Sequence, residues 1–107
     1  MRVYVAGPIA GPTDESVQRN IENLAVRAAR WRALGHDPVN PAELNGVGTP
    51  EQRDRSKVRD YIRADIIAML GCDAVAIPSG WSRSRGTRLE VFIAGELGLE
   101  ILMEESK

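Results

Sequence analysis

The sequence predicts a small α/β fold: a doubly wound, Rossmann/flavodoxin-like parallel sheet of about four strands in the order 2-1-3-4, with helices on both faces. Three observations predict it. Short apolar runs at residues 3–6 and 74–77 each end in a turn containing Gly and Pro. Between them lie segments whose apolar residues recur at intervals of three and four. The two kinds of segment alternate, and parallel neighbours need crossovers, whose right-handedness puts helices on both sides of the sheet. With this order the switch point falls between the strands ending at Ala6 and Ile77, where open sheets bind ligands beyond the strand ends.

In chain order, the first strand, residues 3–6, runs into the loop Gly7-Pro8-Ile9-Ala10-Gly11-Pro12. Thr13 or Asp14 caps a helix whose stripe is Val17, Ile21, Leu24, Ala28, Trp31 and Leu34, and Gly35 stops it. Residues 36–40 are brief and interrupted by Pro38, which suits an edge strand ending at Asn40 on the side of the glycine loop. Residues 41–52, with two prolines and two glycines, form an excursion over the top of the sheet. A helix over 53–70 turns Val58, Ile62, Ile66 and Met69 inward, keeps Tyr61 and Asp65 one turn apart on an adjacent face, and ends at Gly71. The strand 73–77, a polar turn, a helix with apolar residues Leu89, Phe92, Ile93 and Leu97, and a strand 100–103 complete the pattern. Residues 104–107 read as a charged tail that frays.

Composition narrows the function. The 107 residues form one expected domain, 1–107, and carry a net charge of -1, so no global field draws in nucleic acid or an acidic membrane. Cys72 and His36 stand alone, which leaves no intrachain disulfide and no metal cluster; no metal or cofactor is expected, and a reducing, cytoplasmic setting fits. No run reaches membrane-spanning length, and the N-terminus lacks a signal-peptide layout. A chain this short covers a two-sided sheet poorly, so a homodimer or dimer-based assembly is expected.

Glu90 is the residue around which a site can be built. It lies about a turn and a half into its helix, with Gly86 four residues earlier on the same face, so its side chain leans over empty space at the mouth of a strand-to-helix loop. The same residue reads as readily as an exposed surface glutamate. Topology brings Gly7, Ile9, Gly11, Ser84 and Glu90 towards one pocket. The first loop offers amides to an anion but lacks the dinucleotide spacing, and Pro8 and Pro12 have no N–H to give. Arg83, Arg85 and Arg88 answer a phosphate or form a solvated face; Trp81 stacks on a base or sugar, or covers the sheet end.

Five stretches carry a resemblance: YVAGPI at 4–9, NPAEL at 40–44, YIRADI at 61–66, CDAVAIPSGW at 72–81 and SRGTRLE at 84–90. Together, in order and across almost the whole chain, they resemble a small phage and bacterial domain family of uncharacterised function. That family is similar to the nucleoside 2-deoxyribosyltransferases and the 2-deoxynucleoside 5-phosphate N-hydrolases. The resemblance implies that Glu90 attacks the anomeric carbon, that Tyr4 holds its carboxylate, and that Asp65 lies near the leaving base. It also implies that Ser84 and Gly86 contact the sugar or its phosphate. Gly7, Ile9, Gly11, Asn40, Trp81, Arg85 and Arg88 complete the expected substrate-binding set. Where the hydrolases usually carry a second glycine, this chain has Arg88, and where they carry a basic residue in the first loop it has Ala10. The relatives complete their site with a polar residue from a neighbour's C-terminal segment, little of which is present here. The implied reaction is cleavage or transfer at the N-glycosidic bond of a nucleoside or its 5-monophosphate. The competing readings are a module that binds a nucleotide without cleaving it, and an interaction protein with a vacant pocket.

Overall fold

The computed structural model describes residues 1–104. Its elements are β1 (Arg2–Val5), α1 (Asp14–Ala33), β2 (Asp37–Val39), α2 (Pro41–Leu44), α3 (Val58–Leu70), β3 (Ala74–Ile77), α4 (Arg85–Glu96) and β4 (Glu100–Met103). The sheet has the order β2-β1-β3-β4 and every pairing is parallel, so the switch point lies between β1 and β3. Tyr4 pairs with Val39 on one side and Val75 on the other.

Alternation along β1 and β3 divides the core. Val3, Val5, Ala74 and Ala76 face α1, whose Leu24 and Ala28 pack on Val5 while Trp31 reaches Val3. Tyr4, Ala6, Val75 and Ile77 face the other way and meet Met69 of α3 and Ala94 of α4. The long helix α1 forms because its ends as well as its stripe agree with the fold. The Thr13 hydroxyl accepts from the Ser16 amide, Ser16 accepts in return from the Thr13 amide, and acidic residues open the helix while Arg30 and Arg32 close it. Val17, Ile21, Leu24 and Ala28 are buried as the stripe requires. Leu34 is not: it is the C-cap, 69% exposed, because Gly35 at φ +88° turns the chain away.

Three expectations change. The helix over 53–70 starts five residues later, at Val58, after the two 3-10 turns Pro50–Gln52 and Arg55–Lys57. Only Met69 of its inward set is buried; Val58 and Ile62 line a pocket, and so does Ile66, which also packs against the core. In α4, Leu89, Phe92 and Leu97 are exposed, Phe92 to 66%, while Thr87, Glu90 and Ala94 face in. The helix is rotated from its apolar stripe so that a carboxylate, and not a phenyl ring, meets β1. Finally, Glu104 does not fray. Its amide extends the ladder to the Ile77 carbonyl, and its carboxylate accepts from Arg27 Nε at 2.5 Å and Trp31 Nε1 at 2.6 Å. The rest of the expected tail, 105–107, lies outside the described residues.

Candidate active site

Glu90 reaches the sheet because α4 starts where it does. Ser84 caps the helix, its hydroxyl accepting from the Thr87 amide at 3.3 Å and from the Thr87 hydroxyl at 2.9 Å. Thr87, Glu90 and Ala94 then share the inner side by their spacing of three and four. Glu90 is only 7% exposed, which excludes the surface-glutamate reading. Tyr4, fully buried under it, donates its hydroxyl to Glu90 Oε2 in a short hydrogen bond. Tyr4 is therefore a core aromatic with a polar task, held facing α4 by strand alternation.

Asp65 joins from α3. It is half-buried and accepts at 2.7 Å from Nδ2 of Asn45, which also donates to the Pro41 carbonyl at 2.8 Å. Asn45 thereby ties the end of α2 to the acid on α3. Burial raises both carboxyls. Glu90 is pushed up to about 7 by desolvation, with the Tyr4 hydrogen bond opposing and the Asp65 charge adding. Asp65 is pushed up to about 6 by desolvation, against the Asn45 hydrogen bond. Burial and the two nearby carboxylates raise the Tyr4 hydroxyl far above its ordinary value, so it stays a donor.

These groups border a pocket of about 800 Å³ between the first loop, α3 and the start of α4. Of the sequence-predicted residues, Gly7, Ile9, Ser84, Arg85, Gly86, Asp65 and Glu90 line it, with Tyr4 directly behind Glu90. A Cβ at Gly86 would meet nothing within 4 Å, so the space beside Glu90 is open. Four of the expected residues are employed elsewhere. Gly11 lets the chain pass Ser16, whose hydroxyl would lie 2.2 Å from an added Cβ. Asn40 is the N-cap of α2, its Oδ1 accepting from the Ala42 amide at 2.9 Å. The Arg88 guanidinium donates to the Ser82 carbonyl at 3.0 Å. Trp81 borders a second cleft of about 440 Å³ on the α1 side of the first loop, with Arg27 and Arg30.

Sequence reasoning missed Asn45, Val47, Arg53, Arg59 and the pocket-facing side of Tyr61. Asn45 and Val47 lie in the stretch 41–52 that reads as an excursion, although Val47 is buried against Val17 and Ile21. Among the described residues, no group of three or more His, Cys, Asp and Glu side chains could hold a metal ion. No helix among the described residues is long and apolar enough to cross a membrane. Chemically, the arrangement sets a carboxyl with one oxygen fixed by a phenol beside a second carboxyl, and burial raises both so that the pair shares a proton at mildly acidic pH. That pair can attack an electrophilic carbon and supply a proton to what leaves it.

The chain is similar in fold to a 2-deoxyribosyltransferase from the psychrotolerant bacterium Bacillus psychrosaccharolyticus, with a TM-score of 0.68 at 17% identity. The likeness covers 100% of this chain and 77% of that one, which places the four-stranded parallel sheet and its helices in a known architecture. No curated protein sequence matches the chain. A domain family described as "Domain of unknown function (DUF4406)" matches residues 1–103, and the chain belongs to that family.

Proposed function

We propose that this DUF4406 domain cleaves or transfers at the N-glycosidic bond of a nucleoside, in the deoxy series or its 5-monophosphate, with Glu90 as nucleophile. The observation that carries the reading is the buried Glu90 carboxylate, held by Tyr4 and set beside Asp65 at an open pocket. Likeness of fold to a 2-deoxyribosyltransferase supports it.

Tyr4 occupies Oε2, and among the described residues no hydrogen bond engages Oε1. In the reading, Oε1 bonds to the anomeric carbon as the carbon–nitrogen bond breaks through an oxocarbenium-like transition state, and the electron pair of that bond leaves with the base. Asp65 gives its proton to the base nitrogen. The glycosyl ester is then attacked at the same carbon by water or by a second base, whose proton returns to Asp65 as Glu90 departs as carboxylate. Ser84, Gly86 and Arg85 line the start of α4, where amide groups and a guanidinium suit the 5-oxygen or its phosphate. Arg88, turned to Ser82, is left out of that role.

The site works beside an unpartnered apolar surface. Ile67 and Leu70 of α3 and Leu89 and Phe92 of α4 are exposed, Ile67 to 71%. We assign this surface to a homodimer contact.

Glu90→Gln keeps the size and the acceptor for Tyr4 but removes the attacking charge. Base release from a panel of nucleosides and monophosphates falls at least about a thousandfold while ligand binding survives. Trapping with a 2-fluoro-2-deoxyribosyl nucleoside adds one sugar mass, mapped to Glu90. Turnover by the variant, or an adduct on another residue, sinks the assignment. Binding without turnover by the wild type favours the binding-module reading, for which Ala10 in the pocket wall, in place of a basic residue, speaks.

A further inference from the structure

The pocket is not uniform along its length. Outward from Asp65, Tyr61 and Val58 stand one and two turns earlier on the same side of α3, and Val47 and Ile9 face into the same space. Such apolar walls suit the flat faces of a base. Towards the N-terminal end of α3 the lining includes two arginines, Arg53 and Arg59.

Among the described residues neither arginine is ion-paired. Arg53 is half-buried and held in place. Its amide donates to the Pro50 carbonyl at 3.2 Å, and the next amide, of Asp54, donates to the Tyr61 hydroxyl at 2.9 Å, which fastens the excursion over the slot. Arg59 comes from the first turn of α3, about 9 Å along the axis from Asp65.

A guanidinium has five donors and no acceptor. Whatever meets it must offer oxygens or bare nitrogens. A base whose glycosidic nitrogen lies at Asp65 and Glu90 turns its opposite edge towards the arginines. That edge carries position 6 of a purine or position 4 of a pyrimidine. Guanine, hypoxanthine, thymine and uracil have an oxygen there; adenine and cytosine have an amino group, whose hydrogens face the guanidinium donors and leave only a neighbouring ring nitrogen to accept.

We propose that Arg53 and Arg59 read the far edge of the leaving base and admit oxo-bases in preference to amino-bases. The inference rests on the reading that the pocket takes a nucleoside with its glycosidic bond at Glu90.

The test is calorimetric titration of the whole protein with hypoxanthine and with adenine, which differ at position 6. Hypoxanthine binds at least about tenfold tighter to the wild type, the low end of what a paired acceptor edge gives an arginine. The ratio falls towards one in Arg53→Met and in Arg59→Met, each checked for an unchanged melting curve, and Arg59→Lys restores part of it. Equal binding of the two bases overturns the edge reading and leaves the glycosidic one standing. Binding of neither overturns both. Deoxyinosine and deoxyadenosine monophosphates provide the last arm. If the Met variants weaken both alike and leave hypoxanthine untouched, the pair belongs to the phosphate and the proposal fails.

Discussion

Under α1, Val5 of β1 meets Leu24 and Ala28; under α3 and α4, the adjacent Tyr4 meets Glu90. One residue along the same strand separates a purely apolar contact from a buried polar one. The α1 face is covered by one long capped helix whose stripe is buried. The other face is covered by two shorter helices that leave Ile67, Phe92 and Leu97 outside and bring carboxyls inside. A face given over to stability follows hydrophobic periodicity. A face that holds a site departs from it, because the residues kept inward are there for what they bind and the displaced apolar ones need another partner.

Leu24→Ala tests the stability face. Its side chain is 1% exposed, so the truncation costs about 2–5 kcal/mol of unfolding free energy by chemical denaturation. Base release per folded molecule stays near wild type. A loss of activity without loss of stability would break the division between the faces.

Glu90→Gln changes stability in the opposite direction. The folded carboxyl is raised from 4.5 to about 7, so its neutral form is the one the fold prefers. Stability is therefore full below 4.5 and is lost as pH rises through about 7. The variant should be more stable than wild type by about 3 kcal/mol at alkaline pH and equal to it under acid. A variant that is less stable at high pH would show that the carboxylate is welcome in its pocket.

The coupled acids set a pH profile. One carboxyl must be ionised and one protonated, so kcat/KM is bell-shaped, rising and falling around the pair's values of about 6 and about 7. Asn45→Ala removes the hydrogen bond that lowers Asp65 and moves the bell to higher pH, at a stability cost of about 1 kcal/mol. A bell that stays in place would remove Asn45 from the control of Asp65.

The smallest effect belongs to the outer surface. Phe92→Ser changes the stability of a monomer by less than about 0.5 kcal/mol, since the ring is already exposed. Light scattering at micromolar concentration is expected to show a dimer for wild type and more monomer for the variant. A wild-type monomer would leave the apolar surface without its assigned partner.

Local rules in the sequence were enough for the succession of strands and helices, the capped α1 and its stripe, and the loop that carries Gly86 and Glu90. Each follows from a period of two or of 3.6, a cap, or a glycine stop, all within a few residues of one another. Glu90 stood out by its spacing from Gly86, and Tyr4 and Asp65 could be named with it because a resemblance joined them. Tertiary structure alone decided the rest. The rotation of α4 that buries Glu90 in place of Phe92, the descent of Val47 onto α1 and the bond from Asn45 to Asp65 all depend on partners 20 or more residues away, and the slot that the two arginines line takes its other walls from Ile9 and Ser84, just as distant in sequence. Periodicity reports which side of a helix is more apolar. Which side faces in is set by what the opposing strand and loop can pair with, and Tyr4 offered a hydroxyl.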